Sequence, residues 1–523
     1  MVCRPCDNSR RQRLSFLSRQ TQNGQALIYG IFVMLGSLTG LFFLFNTGQL
    51  SSEKTKLVNT ADAVAYSAAV VHARALNFDA YNNRALVANE VLVAQMVSLS
   101  SWGQYAKSHA ESVPVMFPEC AASDGSGAAI DAMVKFNYKY ALMCYLTAQY
   151  ASTAIAEIAS EIPIVTQKIV DAVELNKTAI KAAQDYLHNQ SRFETMRGNV
   201  MQEVAKANYV TDGLITVEPL GNATAAPGLQ MTDDWKTSTA KYDGKDRTRI
   251  GEVAKLAAYS DEFVRDRRWD AKAIAPSLAG IQCIIPPHFN SVKRRGGTEL
   301  VELDEWQAED TESYWEWRQE KSGLFGLFTS CKEREYPLGW GEQRAYPDGQ
   351  DQPANNAKLG DSPTTNPGAH SKASSAQWTN YSGLPSFYDL SPEWLDKPDP
   401  RMKFAVRVVR AKADVRTSDG ASQIRPSERI NKFDGNFASG TMAAIATGEV
   451  YFARPWFNKG DYTYTTGDTT YIVTRNQYAV KHGISNTREI GSLFNPYWQV
   501  RLVTNDDDKD VHPQQQKQGT VLP

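Results

Sequence analysis

The sequence predicts an α+β protein: a single N-terminal transmembrane helix, a long helix with an α-helical bundle, and then a mixed, β-rich domain. Three observations predict this order. Residues 26–45 contain no charged side chain. Apolar residues then recur at steps of three and four, which is the period of a helix. After about residue 211, short alternating runs and turn residues replace that pattern, as is typical of β-structure.

The uncharged run, ALIYGIFVMLGSLTGLFFLF, is long enough to cross a bilayer. An α-helix of about 20 residues rises about 30 Å, the thickness of the hydrocarbon core. Five arginines and one aspartate precede the run. Because basic flanks stay in the cytoplasm, we expect the N-terminus inside and the large remainder outside the inner membrane. A cleaved secretory signal is the alternative, but its apolar core would be shorter and no A-x-A-like site follows Phe45.

The predicted parts follow one another in five segments. They are a basic cytoplasmic tail (1–24), the transmembrane helix (25–47), a periplasmic α-helical stalk or bundle (48–210), a β-rich α+β domain (211–504) with an exposed loop at 343–383, and a disordered tail (505–523). Pro163 is expected to separate helices at 127–159 and 165–209, because proline ends helices.

Two patterns predict helix packing. Gly36 and Gly40 have the small-xxx-small spacing that lets two membrane helices approach closely, although glycine is also frequent in membrane spans. Beyond the span, one stripe of small and branched side chains is expected to pack against another helix. Its members are Leu57, Ala61, Val64, Ala68, Val71 and Ala75.

The β-rich part offers more local predictions. Phe404, Val406 and Val408 would share one face of a strand at 403–410. A helix is expected at 438–448. The acidic residues between Glu299 and Asp310 could bind calcium, but they are spread along a probable strand, so a solvated face is the favoured interpretation.

Charge and cysteine content restrict the function class. The net charge of −2 gives no electrostatic case for binding nucleic acid. Four cysteines follow the span, in a compartment that permits disulfides, and three connectivities are open. The pairs Cys120–Cys144 and Cys283–Cys331 are favoured because the members of each pair are close in sequence.

No motif in the chain predicts chemistry. The histidines form no H-E-x-x-H, and there is no G-x-S-x-G elbow and no Walker A loop. We therefore predict no catalytic residue, no metal site and no cofactor. A membrane-tethered periplasmic hydrolase, with its groups dispersed over 211–500, is kept as an alternative.

The N-terminal region resembles a known family. Gly24-Gln-Ala-Leu-Ile-Tyr-Gly30 opens the span, and Leu57-Val-Asn-Thr-Ala-Asp-Ala-Val-Ala-Tyr-Ser-Ala68 follows it. Both look like the TadE/TadG-like pilus-assembly family of tight-adherence (Flp) pili. Residues 449–455 and 493–502 look like the closing segment of long TadG-like members. Many members carry a von Willebrand A domain, and none is predicted here.

The resemblance implies a function. It implies a non-enzymatic, inner-membrane-anchored, pilin-like component for assembly initiation or the pilus tip. Its expected partners are pilin-like membrane proteins and the pilus assembly machinery, in a hetero-oligomer. Gly24 and Gln25 are a candidate processing site; cleaved prepilins carry glutamate five residues after the glycine, where this chain has Tyr29. A static envelope scaffold unconnected to pili is a further alternative.

Overall fold

Helix α1, Gln25–Met116, is the axis around which the other elements pack. The computed structural model describes residues 25–116, 153–210, 213–219, 233–276, 288–301, 303–322, 328–348, 365–374, 376–397, 400–418, 420–422, 440–453, 462–466, 469–473 and 491–503. The predicted tails 1–24 and 505–523 and most of the predicted helix 127–159 lie outside the described residues.

The remaining described helices are shorter than α1. They are α2 Thr153–Leu187, α3 Gln190–Asn208, α4 Trp235–Ser238, α5 Thr248–Ala258, α6 Glu262–Arg265, α7 Pro367–His370 and α8 Pro392–Leu395. The expected break at Pro163 is wrong, because Pro163 lies inside α2. The chain instead turns at His188 and Asn189, where the Asn189 side chain accepts a hydrogen bond from Arg192 N–H and caps α3.

The described strands form two larger sheets and two antiparallel pairs. They are β1 Thr216–Pro219, β2 Thr239–Tyr242, β3 Trp269–Pro276, β4 Phe289–Val301, β5 Glu305–Ser322, β6 Phe328–Ala345, β7 Ala376–Trp378, β8 Phe387–Leu390, β9 Arg401–Ala411, β10 Thr441–Phe452, β11 Tyr462–Thr466, β12 Thr469–Val473 and β13 Trp498–Leu502. The pairs are β2 with β8 and β11 with β12. The four-stranded sheet has the order β1-β9-β10-β13 and is antiparallel. The five-stranded sheet has the order β3-β4-β5-β6-β7, with only β6 and β7 parallel. The architecture is therefore α+β, as predicted.

The two sheets cover successive lengths of the same helix. The four-stranded sheet and α3 pack on α1 from Leu57 to Ala68, where Phe404, Val406 and Val408 share one buried face. Further along, Leu86 to Val97 pack with α2, α5 and the five-stranded sheet. The helical segment 48–210 and the β-rich segment 211–504 thus contribute to the same hydrophobic cores.

Two expectations for the β-rich part are wrong. The helix expected at 438–448 is strand β10, paired with β9 on one side and β13 on the other. The exposed loop expected at 343–383 is interrupted by ordered structure, since Gln343 is buried in β6 and α7 and β7 follow. Proline and polar residues at 365–374 cover the five-stranded sheet: Asn366 donates to the Thr311 carbonyl at 3.2 Å.

Candidate assembly surface along helix α1

The first part of α1 is uncovered by any described residue. It is long and apolar enough to cross a membrane, with a mean hydropathy of 2.1 and none of that window buried. Leu27 and Leu44 near its two ends are 69% and 70% exposed. Asn46, the first residue after the run, is buried and accepts a hydrogen bond from Ser418 N–H at 2.8 Å. The described body therefore begins where the apolar run stops.

The predicted glycine pair lies in this uncovered part. A Cβ built on Gly36 or Gly40 would meet no atom within 4 Å, and the same holds for Gly30. The backbone is consequently accessible on this side of the helix, as close approach of a second membrane helix requires. The use of Gly36 and Gly40 in helix association stays a prediction.

The predicted stripe beyond the span is covered by elements of the same chain. Leu57, Ala61, Val64 and Ala68 are fully buried against the chain's own four-stranded sheet and α3. Ala75 is buried, and Val71 packs half-buried, in the next cluster along α1. These side chains are already covered within one molecule, so a second chain's helix does not meet them in this conformation.

Small residues let the helix and the sheet come very close. A Cβ on Gly448 of β10 would lie 2.5 Å from the Ala65 carbonyl oxygen and 2.7 Å from the Ala69 Cβ. Gly341 of β6 approaches α1 in the same way, 2.2 Å from the Ser101 carbonyl oxygen by the same construction. Ala65 and Ala69 are therefore small enough to let a strand of the same chain pack directly against α1.

Helix α1 keeps four exposed apolar side chains within the length that the body covers. Val58, Tyr66, Phe78 and Tyr81 are 37%, 46%, 42% and 63% exposed. At about 100° per residue, Tyr66, Tyr81 and Phe78 lie about 80°, 140° and 160° around the helix from Val58, so the four do not form one face. Val58 lies about five helical turns beyond Gly40 and therefore on the same side of α1. Of the four side chains, only Val58 is in line with Gly40.

A line of polar side chains, here called the polar seam, fixes the covered side of α1. In order along the helix it comprises Asn77, Asp79, Asn83, Glu90, Ser98, Ser100, Ser101, Tyr105 and Ser108. Buried polar groups are costly unless they are hydrogen-bonded, and each of these finds a partner on another element. The seam therefore sets the register between α1 and the rest of the chain.

The middle of the seam is a buried ion pair. Lys177 Nζ of α2 lies 2.8 Å from Glu90 Oε1 and 2.7 Å from Glu174. The other Glu90 oxygen accepts from the Trp306 indole at 3.0 Å and the Tyr381 hydroxyl at 2.6 Å. Burial, followed by the Glu90 charge, raises the pKa of Tyr381 far above its ordinary value, so Tyr381 remains a donor.

In the C-terminal part of the seam, at Ser101, two arginines from other elements bind one carboxylate, that of Asp310. Arg267 donates to both Asp310 oxygens at 2.9 Å, and Arg294 approaches Asp310 at 3.3 Å. Ser101 Oγ of α1 donates to Asp310 at 2.8 Å. Burial alone would raise the pKa of Asp310, but the two arginines outweigh it and lower that pKa.

The interpretation of the acidic run as a solvated face is therefore wrong for its last three members. Glu305, Glu309 and Asp310 are buried, because α1 covers one face of β5 and the segment around α7 covers the other. His370 of α7 lies 2.7 Å from Glu309. Sequence reasoning missed the seam as well, although Asp79 and Asn83 at i and i+4, followed by Ser101, Tyr105 and Ser108, carry a helical period of polar residues.

Other predicted residues can be placed only in part. Gly24 lies outside the described residues, and Gln25 is the first residue of α1. Cys331, in β6, is disulfide-bonded. Cys120, Cys144 and Cys283 lie outside the described residues, so the pairing stays a prediction. In the described part of the chain, no three His, Cys, Asp or Glu side chains are grouped to hold a metal ion.

One buried histidine makes stability depend on pH. His72 is 1% exposed, and its Nε2 accepts from Arg197 at 2.9 Å. Burial, followed by the Arg197 charge, lowers the pKa of His72 well below 6.5. Below about pH 6.5 His72 is protonated in the unfolded chain but stays neutral in the folded one. The neutral form therefore contributes fully to the free energy of unfolding above that pH, and this contribution is lost as the pH falls.

We therefore expect His72→Gln to flatten the pH dependence of unfolding. Between about pH 6.5 and 5 the free energy of unfolding should fall with pH more steeply in the wild type than in the variant, by up to about 1.4 kcal/mol per pH unit. Denaturant titrations of the full chain at a series of pH values measure it. His288→Gln, a half-buried histidine stacked on Trp317, is the matched control and should keep the wild-type slope. Equal slopes for His72→Gln and wild type would contradict this assignment.

Comparison with known proteins bears on the first helix alone. Residues 24–71 match the family model described as putative Flp pilus-assembly TadE/G-like. The N-terminal segment is thus similar to the TadE/G-like family, and we call residues 24–71 the TadE/G-like segment. No curated protein and no solved structure matches the chain.

The TadE/G-like segment coincides with two surfaces described above. It begins one residue before α1, includes the uncovered span with Gly36 and Gly40, and ends at Val71 within the covered stripe. The match supports a part in Flp pilus assembly, with pilus assembly machinery as partner, and the family is associated with the cell envelope.

Proposed function

We propose that this protein is a non-enzymatic, pilin-like component of a Flp pilus assembly system, anchored in the bacterial inner membrane by the first part of α1. In this proposal the N-terminus is cytoplasmic, and the body lies in the periplasm or in the extracellular filament. The protein acts in assembly initiation or at the pilus tip, within a hetero-oligomer of pilin-like membrane proteins.

The uncovered glycine-bearing side of the TadE/G-like segment carries the proposal. The span has no covering contact from the described residues, and Gly36 and Gly40 leave its backbone open. The stripe from Leu57 to Ala68 is already buried inside the chain. A partner helix therefore packs on the span.

The continuity of α1 supports a mechanical link between anchor and body. One helix of 92 residues passes from the apolar run into the body, and Asn46 joins the two through Ser418 N–H. Packing inside the membrane would thus position the whole body without an intervening flexible linker. Docking by surface complementarity needs no reaction at the interface.

Replacing Gly36 and Gly40 together with leucine should abolish pilus assembly while the protein stays in the membrane. The leucine side chains would hold a partner helix away from the backbone. Surface pili are measured in sheared fractions, and partner contact by co-purification. Gly30→Leu is the matched control, since Gly30 is equally open but lies about 80–120° around the helix from the pair.

Unchanged pili and partner recovery in Gly36→Leu/Gly40→Leu would refute the helix contact. Absence of the protein from sheared pili, together with normal pili in its deletion strain, would instead favour a static scaffold. A C-terminal reporter that is active only in the cytosol would overturn the topology.

A further inference from the structure

The end of the body nearest to the span forms a rim around α1. The Asn46 side chain accepts a hydrogen bond from Ser418 N–H, which holds residues 412–418 and 420–422 beside the first turn after the apolar run. Gly213 reaches the same place, because a Cβ built on it would lie 3.4 Å from Asp414 Oδ1. Residues 213–214, 412–418 and 420–422 therefore lie beside α1 at the level where the apolar run ends, and we call them the rim.

A cavity opens at this rim. Its volume is about 430 Å³, within the range of small-molecule sites. Phe45, Gln49 and Gly213 line one side, and Asp414, Arg416 and Ser422 line the other. Phe45 is the last residue of the uncharged run and Gln49 lies one turn beyond it. The cavity thus lies at the expected depth of lipid headgroups.

The lining combines two opposite charges with an aromatic ring. An arginine guanidinium suits phosphate because its planar donors bind two oxygens at once. A carboxylate accepts hydrogen bonds from an ammonium group. Arg416 therefore suits the phosphate and Asp414 the ammonium of a zwitterionic headgroup. Phe45 lines the cavity and is also the last residue of the apolar span.

Two large apolar side chains near the rim point to the same ligand. Val210 and Leu214 are each 82% exposed, far more than the apolar residues of the body's cores. Arg410, whose guanidinium approaches the Leu214 carbonyl at 3.4 Å, links this segment to the end of β9. Exposed apolar groups at a membrane boundary bury themselves between headgroups and acyl chains.

We propose that the rim cavity binds the headgroup of a zwitterionic phospholipid with a primary ammonium, in the leaflet from which α1 emerges. Arg416 holds the phosphate, Asp414 holds the ammonium, and Val210 and Leu214 enter the adjoining acyl region. The proposal rests on the membrane anchoring proposed above. Its consequence is that the body is seated on the bilayer in one orientation, in addition to being tethered to it.

Lipid binding to the full chain in detergent micelles tests the cavity. Native mass spectrometry counts bound phosphatidylethanolamine and phosphatidylcholine, whose methylated ammonium cannot donate hydrogen bonds. We expect Arg416→Glu to lower retention of phosphatidylethanolamine at least tenfold, and Asp414→Asn to remove the preference over phosphatidylcholine. Arg192→Glu, an exposed arginine at the opposite end of α3, should bind lipid like the wild type.

The other outcomes separate the possible errors. Unchanged retention in Arg416→Glu would overturn the cavity assignment. Competition by millimolar phosphoethanolamine or inorganic phosphate would show a site for soluble phosphate and overturn the lipid assignment. Extraction of the wild-type chain from membranes by alkaline carbonate would refute the membrane anchoring itself.

A photo-crosslinking amino acid tests the apolar contact independently. Placed at Leu214 of the full chain in native membranes, it should form lipid adducts. The same group at Leu256 of α5, which is 61% exposed but distant from the rim, should form none. Equal lipid labelling at both positions, or none at Leu214, would contradict insertion of the rim.

Discussion

Asp310→Asn is expected to lower the free energy of unfolding by about 3–5 kcal/mol, the range measured when one partner of a buried ion pair is removed. Asp310 is fully buried, and Arg267 and Arg294 are only 7% and 9% exposed. An asparagine removes the charge but keeps the volume, so the buried Arg267 guanidinium would lose the carboxylate that it binds at both oxygens. Arg294 would lose one of its two nearby carboxylates and keep Glu312. Ser101 would also lose a carboxylate acceptor, which weakens the link between α1 and β5.

Denaturant titration of the full chain, followed by tryptophan fluorescence, measures this loss. Asp270→Asn is the matched control: the same atoms change, but Asp270 is 52% exposed in its pair with Arg295. Exposed ion pairs contribute about 0–1 kcal/mol, so this variant should unfold nearly like the wild type. Equal losses in the two variants would show that burial of the Asp310 cluster is not what stabilises this part of the fold.

Gly448→Ala is expected to cost about 1–3 kcal/mol by overpacking the contact between α1 and β10. The added Cβ would meet the Ala65 carbonyl oxygen at 2.5 Å and the Ala69 Cβ at 2.7 Å, and neither a backbone oxygen nor an alanine can rotate away. The four-stranded sheet must therefore move off the helix. Because Ala65 and Ala69 belong to the TadE/G-like segment, the variant also tests why that segment is rich in small residues.

The unfolding free energy of Gly448→Ala is compared with that of Gly198→Ala. Gly198 lies inside α3, where a Cβ would meet nothing within 4 Å. Alanine favours a helix over glycine by about 0.5–1 kcal/mol, so the control should be slightly more stable than the wild type. A Gly448→Ala protein as stable as the wild type would mean that the sheet yields without loss at this contact.

Local sequence patterns were sufficient to predict an element when the pattern lies within that element alone. The alternation Phe404, Val406, Val408 identified a strand face because a half-buried strand has a period of two. The uncharged run identified the span by length alone. The same reasoning failed at residues 438–448, where a helix was expected and strand β10 is found. Ala444, Ala446 and Gly448 share the face of β10 that packs on α1, and β9 and β13 supply its hydrogen bonds.

The buried charges could not be predicted because their partners are distant in sequence. Asp310 meets Ser101 across 209 positions, and Glu90 meets Tyr381 across 291. Nothing near either carboxylate in the sequence indicates burial. The prediction of an exposed loop at 343–383 failed for a related reason. Asn366 and His370 are polar residues whose partners, Thr311 and Glu309, lie on β5.

The contact between the first helix and the last described strand constrains the order in which the molecule is made. Asn77 donates to the Trp498 carbonyl at 3.0 Å, and Trp498 N–H donates back at 3.1 Å, across 421 positions. Contacts of such separation form late in folding, because a long loop must close first. The polypeptide emerging from the ribosome exposes the alanine-rich face of α1 long before β9, β10 and β13 exist to cover it. The newly made chain therefore needs protection from aggregation until nearly its full length has been synthesised.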